Sequence, residues 1–256
     1  MEVRRGDQLI ILDAGTGLRA LGRSLLARQP AGRKLDLSLL ITHTHWDHIQ
    51  GLPFFAPLYD ARCHLHIYGF EGSRKGLVAA LTGQMESTYF PVPFSRLPGN
   101  IEITELEEPA LKLGRFQIQA QRANHPGVCM GYRLTTPEGK IVFFPDTEPR
   151  PGGDDAEMVE FIRGADVLIL DSQYDVTEYQ HHHGWGHGCV KDSVRLAISA
   201  GVKRLVLFHH DPNHNDRRID ALVSQARRQV ARAKSRLIVE AAREGRTLKL
   251  AGPRSA

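Results

Sequence analysis

Between Ile41 and Gly51 the chain reads Thr42-His43-Thr44-His45-Trp46-Asp47-His48, directly after the apolar run Leu37, Leu39, Leu40 and Ile41. Four side chains able to hold a metal thus fall within six positions. An extended segment ending at Ile41 delivers His43 and His45 on one face, because side chains alternate along a strand. Asp47 and His48 follow on the return of the loop, so the motif offers two ligand pairs, enough to serve two adjacent cations. Imidazole and carboxylate suit Zn²⁺ and related divalent ions, and a site with fewer protein ligands than coordination positions leaves room for chemistry. A solvated polar turn does not account for three histidines and an aspartate converging behind a segment of buried type.

With 256 residues and 41% hydrophobic content the chain can bury a full core, and with no repeat or low-complexity linker a single domain spanning 1–256 is expected. Strand-like runs occur at Leu9–Leu12, Leu37–Ile41, His64–Tyr68, Phe116–Ala120, Tyr132–Leu134, Ile141–Phe144, Val167–Leu170 and Leu205–Phe208. Pro137-Glu138-Gly139-Lys140 reads as the turn of a hairpin, so part of the sheet should be antiparallel and a simple doubly wound fold is excluded. Helical periodicity marks Leu18–Ala27, Leu77–Gln84, Ala156–Ile162 and Val190–Ala200. It is clearest in the stripe Ile219, Leu222, Val223, Ala226, Val230, Ala233 and Leu237. The opposite side of that last stripe carries Arg217, Arg218, Arg227, Arg228, Arg232, Lys234 and Arg236, read as the wet face of a terminal helix rather than a nucleic-acid surface.

No run of ~18 apolar residues exists, and Met1-Glu2-Val3-Arg4-Arg5-Gly6 lacks the core of a signal peptide, so no membrane partner and a cytoplasmic address are expected. The three cysteines, Cys63, Cys129 and Cys189, are widely spaced and odd in number, which fits core filling better than a disulfide framework. A formal charge of +4 is compatible with an anionic substrate without requiring nucleic acid.

Two cations need more donors than the first cluster supplies, and further donors follow other apolar runs. His125 stands in Asn124-His125-Pro126-Gly127. Asp146 follows Ile141-Val142-Phe143-Phe144-Pro145, where a buried unpaired carboxylate would be costly and coordination relieves the cost. Leu205-Val206-Leu207-Phe208 runs into His209-His210-Asp211, so at least one of the two histidines should reach the site.

The order H-x-H-x-D-H, a lone His, an Asp after an apolar strand and a late His resembles the metallo-β-lactamase superfamily, and Leu12-Asp13-Ala14-Gly15-Thr16-Gly17 is similar to its early Asp-x-Gly element. The resemblance implies an α/β fold, a four-layer αββα sandwich with mixed sheets and the metals at strand ends. It also implies a ligand set for two divalent ions, zinc first and manganese or iron as alternatives. His43, His45 and His125 would hold one ion, Asp47, His48 and His209 the other, and Asp146 both. Asp13 would orient a ligating imidazole from behind. Such chains usually carry an extra strand and a Gly-rich loop ahead of the Asp-x-Gly element, whereas here only a few residues precede Leu9, which leaves the presence of the usual first strand open.

Gly186-His187-Gly188-Cys189 lies 22 positions before His209 and is similar to the Gly-His or His-Ser-Thr element of the RNase Z-like and cyclic-phosphodiesterase branch. There the histidine assists the leaving group, a task that imidazole, titrating near neutrality in general, can perform, and His187 would take that role. Asp47 would orient or deprotonate a water or hydroxide held between the cations. Only 20 residues separate His125 from Asp146, too few for the long RNA-gripping insertion of RNase Z, so a small or cyclic phosphodiester is expected before nucleic acid. Tyr174 to Trp185, with Tyr179, His181, His182, His183 and Trp185, could form an aromatic, His-rich lip over it or a solvated loop with no role, and His214 and Asp216 could line the pocket too. Thioester or lactone hydrolysis on the same ligand set, and a non-catalytic metal-bound sensor or scaffold, are the competing readings. Oligomeric state is not encoded legibly.

Overall fold

The apolar runs of the first hundred residues line up as one mixed sheet. The computed structural model describes residues 1–30, 32–70, 76–150 and 155–250, which divide into two compact units, Met1–Glu108 and Pro109–Ala256. In the first unit the strand order is β1 (Glu2–Arg5), β2 (Gln8–Leu12), β3 (Leu35–Ile41), β4 (Cys63–Gly69), β5 (Asn100–Glu105). β1 pairs antiparallel with β2, and every later pair is parallel. Parallel neighbours need crossovers, and these contain α1 (Gly17–Arg28), the short α2 (Trp46–Ile49) and α3 (Gly76–Gly83). Leu18 and Leu25 of α1 and Leu77 and Leu81 of α3 share a core with Leu37, Leu39, Ile41, Leu65 and Ile67, alternate residues on one face of the sheet. Burying each such side chain contributes roughly 1.5–3 kcal/mol.

The second unit holds a seven-stranded mixed sheet in the order β6 (Ala110–Leu113), β7 (Phe116–Arg122), β8 (Met130–Thr136), β9 (Gly139–Phe144), β10 (Val167–Asp171), β11 (Arg204–Phe208), β12 (Ile238–Ala241). Its first four strands are antiparallel, with the expected hairpin turn joining β8 to β9, and its last four are parallel. α4 (Ala156–Ile162), α6 (Val190–Ser199) and α7 (Asp216–Arg232) bury Ile162, Val194, Ala197, Leu222 and Ala226 against Val142, Leu168, Leu170, Leu205 and Leu207. α5 (Val176–Tyr179) is a single capped turn, with Asp175 accepting from the Thr177 and Glu178 amides.

Four strands escaped sequence reading. β1 (EVRR), β6 (ALKL) and β12 (IVEA) have four residues each and lie at sheet edges, while β5 (NIEITE) alternates polar with apolar residues beside a proline-rich stretch. A strand therefore does precede Leu9. The terminal stripe also outruns its helix. α7 ends at Arg232 with Ala233 as its cap, and Leu237 is buried in the connection to β12. Of the basic residues on α7, Arg218 pairs with Asp175 and Glu178, and Arg227 Nε donates to the Val239 carbonyl at 3.0 Å. No helix among the described residues is long and apolar enough to cross a membrane.

Cys63, Cys129 and Cys189 are not joined in disulfides, and all are buried. Burial pushes Cys63 up to about 12, and burial with the Asp192 hydrogen bond does the same for Cys189. Ellman's reagent at pH 8 should therefore label no cysteine in the native protein and all three in urea. Rapid labelling of the native chain contradicts this packing.

Candidate metal centre

Two clusters of donors stand at strand ends, one in each unit. In the first unit β2 and β3 are parallel neighbours in register, Leu12 beside Leu40, so the residues just past their ends lie side by side. Asp13 takes a left-handed conformation there, φ 58°, which costs a non-glycine residue roughly 1–2 kcal/mol. Its buried carboxylate accepts from the Thr42 amide at 2.7 Å, the Thr42 hydroxyl at 2.9 Å and His48 Nδ1 at 2.8 Å. The Thr42 hydroxyl in turn accepts from His43 Nδ1 at 3.1 Å. One carboxylate thus orients two imidazoles, His48 directly and His43 through a hydroxyl, and each turns Nε2 toward the cluster. The His43 ring lies 4.5 Å from that of His45 and 4.2 Å from that of His48, centroid to centroid. His48 Nε2 lies 3.0 Å from an oxygen of Asp47.

Close backbone approach makes this loop possible. The Ala14 amide donates to the His48 carbonyl and the Gly51 amide to the Ala14 carbonyl, both at 2.7 Å. A Cβ on Gly51 would stand 2.0 Å from the Gly15 carbonyl oxygen, so only glycine permits the contact.

In the second unit the parallel strands β9, β10 and β11 end beside one another, Phe144 beside Leu170 and Asp171 beside Phe208. Asp146, Asp171 and His209 emerge from those ends. Asp146 is 1% exposed. His209, left-handed at φ 56°, donates from Nδ1 to the Gln173 side-chain oxygen at 3.1 Å and places Nε2 3.5 Å from Asp146. His187 stacks on His209 with centroids 4.8 Å apart and planes 12° from parallel. Asp146, His187 and His209 each offer an atom within 4.8 Å of the other two. His125 lies 6.1 Å from the His187 ring, and its Nδ1 accepts from the Gly127 amide at 3.3 Å. Of His209 and His210, the first lies in this cluster. Neither ring nitrogen of His210 has a hydrogen-bond partner among the described residues, and burial lowers its pKa.

Donors bound to one tetrahedral zinc at about 2.0–2.1 Å stand about 3.4 Å apart. The 3.0 Å and 3.5 Å spacings of Asp47–His48 and His209–Asp146 are close to that value. These residues could hold a divalent metal ion.

Asp171 was not singled out in the sequence, although the signal was there: Val167-Leu168-Ile169-Leu170 runs into it as Ile141–Phe144 runs toward Asp146. It is fully buried, and burial pushes its carboxyl above the usual range, opposed by the hydrogen bond from His187 Nδ1 at 2.9 Å. The Gly188 and Gln173 amides donate to its other oxygen, each at 3.1 Å. Most of the expected aromatic lip has structural partners. His182 donates to the Glu178 carbonyl and stacks on Tyr174, His214 donates to Glu178 at 2.9 Å, and the largely exposed Trp185 packs edge-on against His182. Asp216 lies in the first turn of α7.

The model of the β-lactamase superfamily domain matches residues 8–210, and the chain belongs to the metallo-β-lactamase superfamily. A ribonuclease Z from Bradyrhizobium sp. is 25% identical over 263 residues, covering 85% of both chains. Among solved structures, the metallo-β-lactamase fold protein YhfI from Bacillus subtilis aligns with TM-score 0.67 at 22% identity, covering 95% of this chain and 88% of that one. A diphosphatase of the PhnP family aligns with TM-score 0.69 at 19% identity, covering 98% and 84%. These likenesses carry the fold.

Replacing Asp13 by Ala frees both Nδ1 anchors in the first unit. Metal affinity, measured by competition with a chromogenic chelator, should fall about 10- to 100-fold. Unchanged affinity contradicts the anchoring role.

Proposed function

We propose that this chain is a dinuclear metal-dependent hydrolase, a phosphodiesterase acting on a small or cyclic phosphodiester, and that its two units work as one catalytic domain. The hydrogen bond between His187 and buried Asp171, beside Asp146 and His209, carries this reading. His43, His45 and His125 would hold one ion, Asp47, His48 and His209 the second, and Asp146 would contact both. Zinc suits these donors, and manganese or iron are compatible with them. When bound, such ions lower the pKa of water and neutralise phosphate oxygens.

The remaining work falls to the chain. Asp47, exposed on the first turn of α2, orients the attacking water and accepts its proton. Asp171 holds His187 through Nδ1 and stabilises the imidazolium, so Nε2 carries a proton to the departing oxygen. Stacking against His209 fixes the plane of that ring. Likeness to a ribonuclease Z and to a diphosphatase supports phosphodiester or phosphoanhydride chemistry. The span from His125 to Asp146 is filled by β8, β9 and their turn, without an arm for gripping RNA, which supports the smaller substrate.

Bis-p-nitrophenyl phosphate and cyclic nucleotides should be hydrolysed, and turnover of lactones or thioesters alone contradicts the proposal. His187→Ala should lower kcat about 100-fold or more on diesters with poor leaving groups, the range for a general acid. An unchanged rate on those esters removes His187 from the reaction.

A further inference from the structure

Glu148 is a nearly buried carboxylate, 8% exposed, that the proposed chemistry does not use. It lies two residues past Asp146, and its oxygens collect donors from the loop that leads to His187. One oxygen accepts from the Tyr179 hydroxyl at 2.7 Å and from the Gly184 amide at 3.1 Å. The other accepts from the Gly184 amide at 2.9 Å and the Gly186 amide at 3.1 Å. Burial and this carboxylate push the Tyr179 hydroxyl above its ordinary pKa, so it remains a donor. The backbone of Glu148 is tied as well: its amide donates to the Asn124 carbonyl at 2.9 Å, and the Asn124 side chain donates to its carbonyl at 2.8 Å. Asn124 is the neighbour of His125.

The consequence lies at Gly186 and His187. Gly186 has φ 87°, and a Cβ there would stand 2.5 Å from the His125 ring and from Pro126, so the loop is pressed directly onto that histidine. A loop with so many backbone amides would ordinarily satisfy them with water and sample several conformations. Here a single carboxylate satisfies two of them one and three residues before His187. Asp171 fixes the His187 ring and, through the Gly188 amide, the backbone after it, whereas the backbone before it is held by Glu148.

We infer that Glu148 is a positioning residue: it clamps the 179–186 loop through Tyr179, Gly184 and Gly186, and so sets His187 at the distance from the leaving oxygen that proton transfer requires. This rests on the proposed role of His187. A loss of position, unlike a loss of fold, affects only the step that needs the proton. Its signature is a dependence on leaving group, because p-nitrophenolate departs without help and an alkoxide does not.

The test measures kcat and KM on a series of phosphodiesters from p-nitrophenyl through phenyl to alkyl leaving groups, with metal content and Tm for each variant. Glu148→Ala should lower kcat about 10- to 100-fold on the alkyl esters and by less than about 3-fold on the p-nitrophenyl ester, with KM nearly unchanged. Glu148→Gln should recover most of the loss, since its carbonyl can accept from the glycine amides while its NH₂ donates to the Tyr179 oxygen. Tyr179→Phe, a milder change should Glu148→Ala fail to fold, should show the same leaving-group dependence at smaller size. A uniform loss on every ester, or none on any, overturns the inference. A His187→Ala control without leaving-group dependence instead overturns the reading of His187 on which it stands.

Discussion

Histidine can hold a cation or deliver a proton in a fixed direction only if its second nitrogen is fixed, and four imidazoles of the two donor clusters are held by the same nitrogen. Nδ1 of His48 is taken by Asp13, of His43 by the Thr42 hydroxyl, of His187 by Asp171 and of His209 by Gln173. Each bond sets both the tautomer and the ring plane, and turns Nε2 to a defined place. His125 differs, its Nδ1 accepting a backbone amide instead. The anchoring acceptors are themselves fixed by backbone donors, as in the amides that Asp13 and Asp171 receive. Removing an anchor should therefore loosen an imidazole without disturbing the apolar core behind it.

Sheet geometry explains why the anchors and the anchored residues meet. Parallel strands in register end together, and each unit uses that edge: β2 and β3 in the first, β9, β10 and β11 in the second. The chain then has to turn sharply. Two of the three non-glycine residues with positive φ among the described residues, Asp13 and His209, make those turns. Backbone strain of this kind persists where the surrounding bonds hold it, and here it aims a carboxylate and an imidazole from strands too apolar to carry them internally.

Much of this was legible in sequence because buried parallel strands are long apolar runs, and a polar residue immediately after one is conspicuous. That logic points to Asp146 and His209, and the motif at His43–His48 stands out by its density. Asp171 obeyed the same rule and escaped because Asp171-Ser172-Gln173 carried no histidine to draw the eye. Glu148 escaped for a different reason: a carboxylate one turn past a strand looks like surface until the loop it receives is placed, and that loop begins some thirty residues later. The edge strands β1, β6 and β12 are too short for periodicity to register. The aromatic segment at 174–185 was legible as a cluster, yet its partners, Glu178 and Tyr174, could only be assigned in space.

The proposed hydrolase requires donors from several strand ends, Asp146 among them, to hold a pair of cations. Equilibrium dialysis followed by elemental analysis tests that most directly, comparing the protein with its Asp146→Ala variant in the presence of zinc. The account predicts about two tightly held ions per chain for the first, and for the variant a loss of tight binding together with loss of phosphodiester hydrolysis. Retention of the full complement by the variant, or a single ion in the parent protein, contradicts it.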